Sequence, residues 1–205
     1  IFQRGIDQPV GFVLPLERRH GEWQTSLWKL RTEQLLLVPG DSPVGLRLPL
    51  QSLPWEPAEE RQKVATLDPM APVPPLPVPQ PTQAAVTKAS RVARVLRKTT
   101  SPTHLVRTAL TVEAREGRVC VFLPPLTSAE DFVELTRVIE DTASHLEMPV
   151  VIEGYPPPYD SRLESIKLTP DPSVVEVNVH PAKSWRELVD NTTTLSDLAR
   201  LSHLG

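Results

Sequence analysis

From Pro57 to Pro81 the chain is crowded with prolines, and the middle of this stretch reads Ala71-Pro72-Val73-Pro74-Pro75-Leu76-Pro77-Val78-Pro79. Proline lacks a backbone N–H and disfavours helix in the residue before it, so such a run can enter neither a helix interior nor a central strand. It predicts extended, polyproline-like backbone. It also divides the sequence into a β-rich segment over 1–56, a linker or wrapping loop with a basic segment over 57–103, and a regular region over 104–205. A proline-recognising module is one use for such a run, but its apolar spacers suit packing along the protein's own surface equally well. With 40% hydrophobic residues the flanks carry enough apolar surface to fold.

A net charge of -3 argues against a general nucleic-acid binder. The local exception runs from Lys88 to Lys98, where Arg91, Arg94 and Arg97 recur at near-helical spacing beside Val92, Val95 and Leu96; a solvated helix face is the ordinary origin of that pattern. No apolar run reaches the roughly 20 residues that span a bilayer, and no secretory pattern opens the sequence. Cys120 is the only cysteine and lies in an apolar run, so it forms no internal disulfide and no cysteine-rich zinc site. These features lead to an expected cytoplasmic location with no membrane or nucleic-acid partner. The start at Ile1 and the end at Gly205 after an amphipathic stretch are expected to be cuts through a longer polypeptide.

In residues 1–56, Val10 to Leu16 and Gln34 to Val38 are β-prone, and Pro39-Gly40-Asp41-Ser42-Pro43 is a dense turn signal ahead of Val44 to Leu50. There Val44, Leu46, Leu48 and Leu50 alternate with Gly45, Arg47 and Pro49. The alternation predicts the second strand of a hairpin, with one buried face and Arg47 on the other. A glycine-containing loop near an arginine also suits an anion, though joining strands is its commoner use.

After the prolines, Val106 to Ala114 and Arg118 to Leu123 read as strands joined by Arg115-Glu116-Gly117, a tight turn in which glycine tolerates positive φ. Thr127 with Glu130 makes a capping-box pattern before a helix whose apolar stripe is Phe132, Leu135, Ile139 and Leu146, ended by Pro149. Val150 to Tyr155 is a strand, Gly154 to Asp160 a rigid proline-rich loop, and Leu163 to Thr169 with Val174 to His180 a further hairpin around Pro170 to Ser173. The closing helix starts at Ser184, capped with Glu187, and is expected to kink near Asn191 and the threonines after it. The order β-β-α-β-β-β-α predicts an α+β fold, an antiparallel sheet with hairpins backed by helices.

Strand periodicity sets Glu176, Asn178 and His180 on one face, about 7 Å apart, and Val175, Val177 and Val179 on the other, toward the helices. A hairpin closing symmetrically around Pro170 to Ser173 puts Lys167 opposite Glu176 and Ser165 opposite Asn178. Glu153 alternates with Val150 and Ile152, and Glu113 shares a face with Arg107 and Thr111. Three carboxylates converging on one surface would suit Mg²⁺, which takes oxygen ligands, water and substrate phosphates, with Lys167 or Arg107 on phosphate. The plainer alternative is a solvated sheet face on which Lys167 and Glu176 form a cross-strand ion pair. His180, at a strand end before Pro181, has no neighbouring Cys or His at transition-metal spacing. No Gly-x-Ser-x-Gly elbow supports a serine nucleophile.

The runs Val150-Val151-Ile152-Glu153-Gly154-Tyr155-Pro156-Pro157-Pro158, Ile166-Lys167-Leu168-Thr169-Pro170-Asp171-Pro172 and Val175-Glu176-Val177-Asn178-Val179-His180-Pro181-Ala182 resemble a bacterial putative amidoligase domain family. So does Leu37-Val38-Pro39-Gly40-Asp41-Ser42-Pro43-Val44-Gly45-Leu46-Arg47-Leu48-Pro49-Leu50, with the Trp55 that follows. Members of that family typically lie downstream of a transglutaminase-like domain in very large proteins, and are distantly similar to glutamine synthetase and glutamate-cysteine ligase. The resemblance implies part of a glutamine synthetase-like catalytic sheet and an ATP- and Mg²⁺-dependent carboxylate-amine ligase acting on peptide or amino-acid substrates. By that resemblance Glu153, Glu176, Asn178, His180 and Glu113 would contribute to the metal and nucleotide site. Family members continue into a glycine-rich stretch ending in Asn-His, so the 205 residues alone are expected to be inactive. The other functional class is a non-catalytic module recruiting substrate for a transglutaminase-like domain of the same polypeptide. It predicts scattered carboxylates and an exposed apolar groove.

Overall fold

The computed structural model describes residues 9–30, 35–55, 57, 72–77, 105–172 and 174–203. The fold is α+β, with eight strands and two α-helices among the described residues. It divides into two compact units, Ile1–Asp160 and Ser161–Gly205. The basic stripe of residues 88–98 lies outside the described residues.

The first unit is organised by a four-stranded sheet in the order β1 (Phe12–Pro15), β4 (Ala109–Arg115), β5 (Arg118–Leu123), β6 (Val150–Gly154). β1 pairs antiparallel with β4, Phe12 opposite Val112, and β4 with β5 through the tight turn at Glu116 and Gly117, both at positive φ. β5 and β6 are parallel, Cys120 opposite Val151 and Phe122 opposite Glu153. The expected sheet is thus antiparallel except at this edge, because α1 (Ala129–His145) crosses over between the two strands.

Ser128, rather than Thr127, is the N-cap of α1, its hydroxyl accepting from the Asp131 N–H at 3.2 Å. Phe132, Leu135 and Ile139 pack the helix against Leu110 and Leu123 of one sheet face, joined by Leu16, Trp23 and Leu126. Leu146 falls at the C-cap and is exposed, so the apolar stripe stops a turn earlier than the sequence pattern suggests.

The opposite face is covered by the N-terminal segment, where Val44 and Leu48 cluster with Ala109, Val13, Trp28, Leu35 and Leu37. Here the structure corrects the expected hairpin. Residues 35–38 form no strand, and two 3-10 turns, Val44–Leu46 and Leu50–Ser52, replace the second one. A single bond from Val38 N–H to the Arg47 carbonyl, 2.8 Å, is what remains of hairpin pairing. Pro43 and Pro49 lack ladder donors and precede each 3-10 turn. The buried residues are accordingly Val44 and Leu48, four apart, while Leu46 and Leu50 are exposed. A hairpin not foreseen, β2 (Glu17–Arg19) with β3 (Glu22–Gln24), turns through His20 and Gly21, both at positive φ.

The second unit pairs β7 (Lys167–Asp171) with β8 (Val174–Asn178) as a two-stranded ribbon, followed by α2 (Trp185–Leu201). Ser184 caps α2, accepting from Glu187 N–H at 3.2 Å, and the Glu187 carboxylate accepts from Lys183 N–H at 2.8 Å. The expected kink does not occur, since α2 runs unbroken for 17 residues. Thr192 and Thr193 donate their hydroxyls to the carbonyls of Leu188 and Val189, satisfying inside the helix the groups that otherwise compete with it.

Candidate functional site

The strand register decides which polar side chains meet. On β4 the residues Thr111, Glu113 and Arg115 share one face; opposite them on that face lie Cys120 and Phe122 of β5, then Val151 and Glu153 of β6. Glu113 is buried, 8% exposed. Its Oε1 accepts from Arg115 Nη1 at 2.7 Å and from the Val44 N–H at 3.3 Å, and its Oε2 lies 3.6 Å from Arg47 Nη2. Arg115 extends across β5, and its Nη2 donates to Glu153 Oε1. Arg47 reaches the row from the 3-10 segment, with Nη1 donating to the Gly40 carbonyl at 3.2 Å.

The result is a ladder of alternating charge, Arg47, Glu113, Arg115, Glu153, drawn from two strands, β4 and β6, and one covering segment, and spanning β5. The hydrogen bond that Arg115 donates to Glu153 raises the Arg115 pKa above the ordinary arginine value, against the opposing effect of burial, with the Glu153, Cys120 and Glu113 charges adding to the rise. Two atoms of the ladder are buried with no hydrogen-bond partner among the described residues: Arg47 Nε at one end and Glu153 Oε2 at the other. Beside Glu153, Tyr155 meets Phe122 edge-on, ring centroids 6.1 Å apart at 89°. Gly45 packs against Phe122, where an added Cβ would come within 2.2 Å of the ring.

Of the residues singled out in the sequence, Glu113 and Glu153 are brought together here, joined by Arg115. Arg107 is elsewhere, its guanidinium donating to the Pro54 carbonyl. Lys167, Glu176, Asn178 and His180 belong to the second unit. On the ribbon the register differs from a closure around Pro170 to Ser173: Lys167 lies opposite Asn178, and Thr169 opposite Glu176. The connection is tighter than four residues, because the ladder continues to Asp171 and Val174 and moves every partner by two. The parity survives, so Lys167, Glu176 and Asn178 share one face, with Asn178 Nδ2 donating to Glu176 Oε1 at 2.7 Å. His180 Nε2 accepts the Ser165 N–H. On the other face Val175 and Val177 line an open apolar cleft of about 610 Å³ together with Leu168, Leu195 and Leu198.

Among the described residues, no group of three His, Cys, Asp or Glu side chains is placed to hold a metal ion. In the ladder the reason is physical: N–H donors and guanidinium groups already surround Glu113, and only two carboxylates are present. Arg47 and Arg115 are the participants that sequence reasoning missed. Arg115 shares strand parity with Glu113 at the edge of the turn, and Arg47 reaches Glu113 because Val44–Leu46 is a 3-10 turn and not a strand.

A family model described as "Putative amidoligase enzyme (DUF2126)" matches residues 1–205. No curated protein and no solved structure matches the chain. Among the described residues, no helix is long and apolar enough to cross a membrane.

Proposed function

The chain belongs to the putative amidoligase enzyme family, and on that premise we propose that it is part of an ATP-dependent carboxylate-amine ligase acting on amino-acid or peptide substrates. What supports this reading is the family match together with the charged row on the sheet face, Arg47, Glu113, Arg115 and Glu153.

Amide formation in water needs an activated acid. The substrate carboxylate takes the γ-phosphoryl group of ATP, giving an acyl phosphate and ADP. The amine nitrogen attacks the acyl carbon, phosphate leaves, and a proton is lost from nitrogen. The arginines would orient the anionic carboxylate and shield its charge, a role that their planar fork suits. Mg²⁺ is proposed to arrive with the nucleotide, since that ion keeps waters and substrate phosphates in its shell. Independently of the ladder, the family resemblance makes Lys167, Glu176, Asn178 and His180, all within the second unit, proposed nucleotide and metal contacts of that unit. Use of ATP and the free buried thiol of Cys120 suit the cytoplasm, where a transglutaminase-like domain of the same polypeptide is the proposed neighbour.

The test is ADP release with Mg·ATP, a carboxylate and an amine, using the protein at the length at which cells make it. Loss of turnover in Arg47→Met and Glu153→Gln, with folding retained, is expected. Unchanged turnover in both variants would refute the assignment. A second reading, a non-catalytic recruiting module, is favoured by the apolar cleft beside α2; it is indicated if no ADP release occurs with any carboxylate and amine supplied.

A further inference from the structure

β6 (Val150–Gly154) is the outer strand of its sheet, with β5 on one side and, among the described residues, no strand on the other. The Tyr155 N–H bonds to the Leu123 carbonyl of β5 at 3.2 Å. By strand alternation Val151 and Glu153 also turn their backbone groups to β5, and Val150 and Ile152 turn theirs outward. Nothing in the strand blunts that edge: it holds no proline, no lysine and no bulge, the devices by which edge strands refuse a further strand. Beside it, Val150 and Ile152 line an open apolar cleft of about 490 Å³ together with Ile139, Ala143 and Met148, from α1 and the turn after it. Ile152 is 42% exposed and Met148 43%. The charged residues of the cleft are two carboxylates, Glu140 and Glu147, and no cation lines it. Glu140 is paired with Arg137 at 3.0 Å, whereas the Glu147 carboxylate has no ion pair among the described residues.

From this geometry we propose that the β6 edge and its cleft take up an extended peptide segment of another protein by strand addition, with apolar side chains alternating toward the cleft and lysine or arginine at its ends. The outward backbone groups of Val150 and Ile152 supply affinity common to any sequence. The cleft selects among sequences, because alternate residues of an added strand fall on the face that Val150 and Ile152 share. A helix fits worse, since its own N–H groups are spent internally and would leave the strand edge unpaired. Charge then decides between a foreign segment and a second copy. Two copies meeting edge to edge about a twofold axis bring four carboxylates, Glu140 and Glu147 from each, into one interface, and the cleft has no cation to answer them. A basic segment meets the same two carboxylates with attraction. The proposal is independent of the ligase reading, because Glu153 and the charge ladder lie on the opposite face of the sheet from Ile152.

The probe is the amidated peptide Lys-Val-Thr-Ile-Thr-Val-Lys, titrated into the 205-residue protein, with binding read by fluorescence anisotropy and by amide hydrogen exchange. Its analogue with glutamate in place of both lysines should bind about tenfold more weakly. So should an analogue N-methylated at the isoleucine and the threonine after it, which has lost a central donor on both edges. Saturating peptide should slow exchange of the Ile152 N–H by about tenfold or more, and Ile152→Lys should abolish binding. Equal affinity for either analogue, Ile152 exchange unchanged at saturation, or no binding at millimolar peptide overturns the proposal. If Ile152→Lys does not fold, Glu147→Gln decides: the parent peptide should bind about threefold more weakly there, and unchanged affinity overturns the proposal. Slowing of Ile152 exchange that grows with protein concentration in the absence of peptide would give the edge to a second copy, and also overturns it.

Discussion

Replacing Glu113 with alanine removes the carboxylate between two guanidinium groups and strips the acceptor from the Val44 N–H that opens the first 3-10 turn. Removing one partner of a buried ion pair costs about 3–5 kcal/mol, because the charge left behind is unpaired. Glu113 itself is buried, but the Arg47 side chain keeps 16% of its exposure, so water softens the loss and the lower end, about 3 kcal/mol, is expected. Glutamine at the same position retains an oxygen for Val44 and one guanidinium, and should lose only about 1.5–2 kcal/mol. Urea unfolding followed by tryptophan fluorescence suits the assay. Trp28 sits in the cluster that the 3-10 segment completes, its Nε1 donating to the Val106 carbonyl at 2.7 Å. A loss of 3 kcal/mol should lower the midpoint by roughly 1–3 M, given urea slopes of about 1–3 kcal/mol per molar. Removing both charges, with Arg47→Met and Glu113→Met together, should recover much of the loss, since apolar replacement of a whole pair is often near neutral. A Glu113→Ala midpoint equivalent to under about 0.5 kcal/mol of change would refute the view that this carboxylate anchors the N-terminal segment.

Gly45→Ala should destabilise by about 1–3 kcal/mol, because the new Cβ meets three atoms of the buried Phe122 ring at 2.2–2.6 Å; thermal unfolding measures it. Gly154→Ala should cost more, about 2–4 kcal/mol, as its φ is +102° and the obstruction, the Leu123 backbone at 2.4 Å, cannot swing aside. Ser128→Ala should cost about 1 kcal/mol by loss of the α1 cap, seen as faster amide exchange at Asp131. Because Glu153 raises the Arg115 pKa, the stability that this shift contributes is fully present below the ordinary arginine range and is lost only as pH rises through the raised value. Between neutral pH and about pH 9 the destabilisation caused by Arg115→Met should therefore be constant; a decline over that window, measured by urea midpoints, would contradict it.

Much of this fold was legible because the regular region obeys simple periods. The valines of β8 alternate with polar residues, and the Glu116-Gly117 turn has the residues its φ angles require. The same parity put Glu113 and Glu153 on one sheet face. What was not legible came from tertiary choices. Val44 to Leu50 has the alternation of a strand, yet prolines at 43 and 49 and the fit of Gly45 on Phe122 favour 3-10 turns. The β2–β3 hairpin depends on His20 accepting positive φ, which histidine does less readily than glycine. The ladder itself needs Arg47 and Arg115, two residues far apart in sequence whose meeting at Glu113 depends on how the 3-10 segment lies over β4.

The pairing of β1 with β4 also sets a schedule. Leu16 N–H bonds to the Thr108 carbonyl, Thr108 returns its hydroxyl to the Leu16 carbonyl, and Ser26 accepts from the Val106 N–H at 3.0 Å. None of these contacts can form until everything between them, the prolines included, has been synthesised. Folding should therefore be slow for the chain's size, since non-local pairings must close a long loop before they are rewarded. Once closed, the loop's length matters little: doubling it costs only about 0.6 kcal/mol. A polypeptide cut within the proline-rich stretch after folding should hold its two parts together, whereas the same two parts made separately should assemble slowly and in proportion to their concentration.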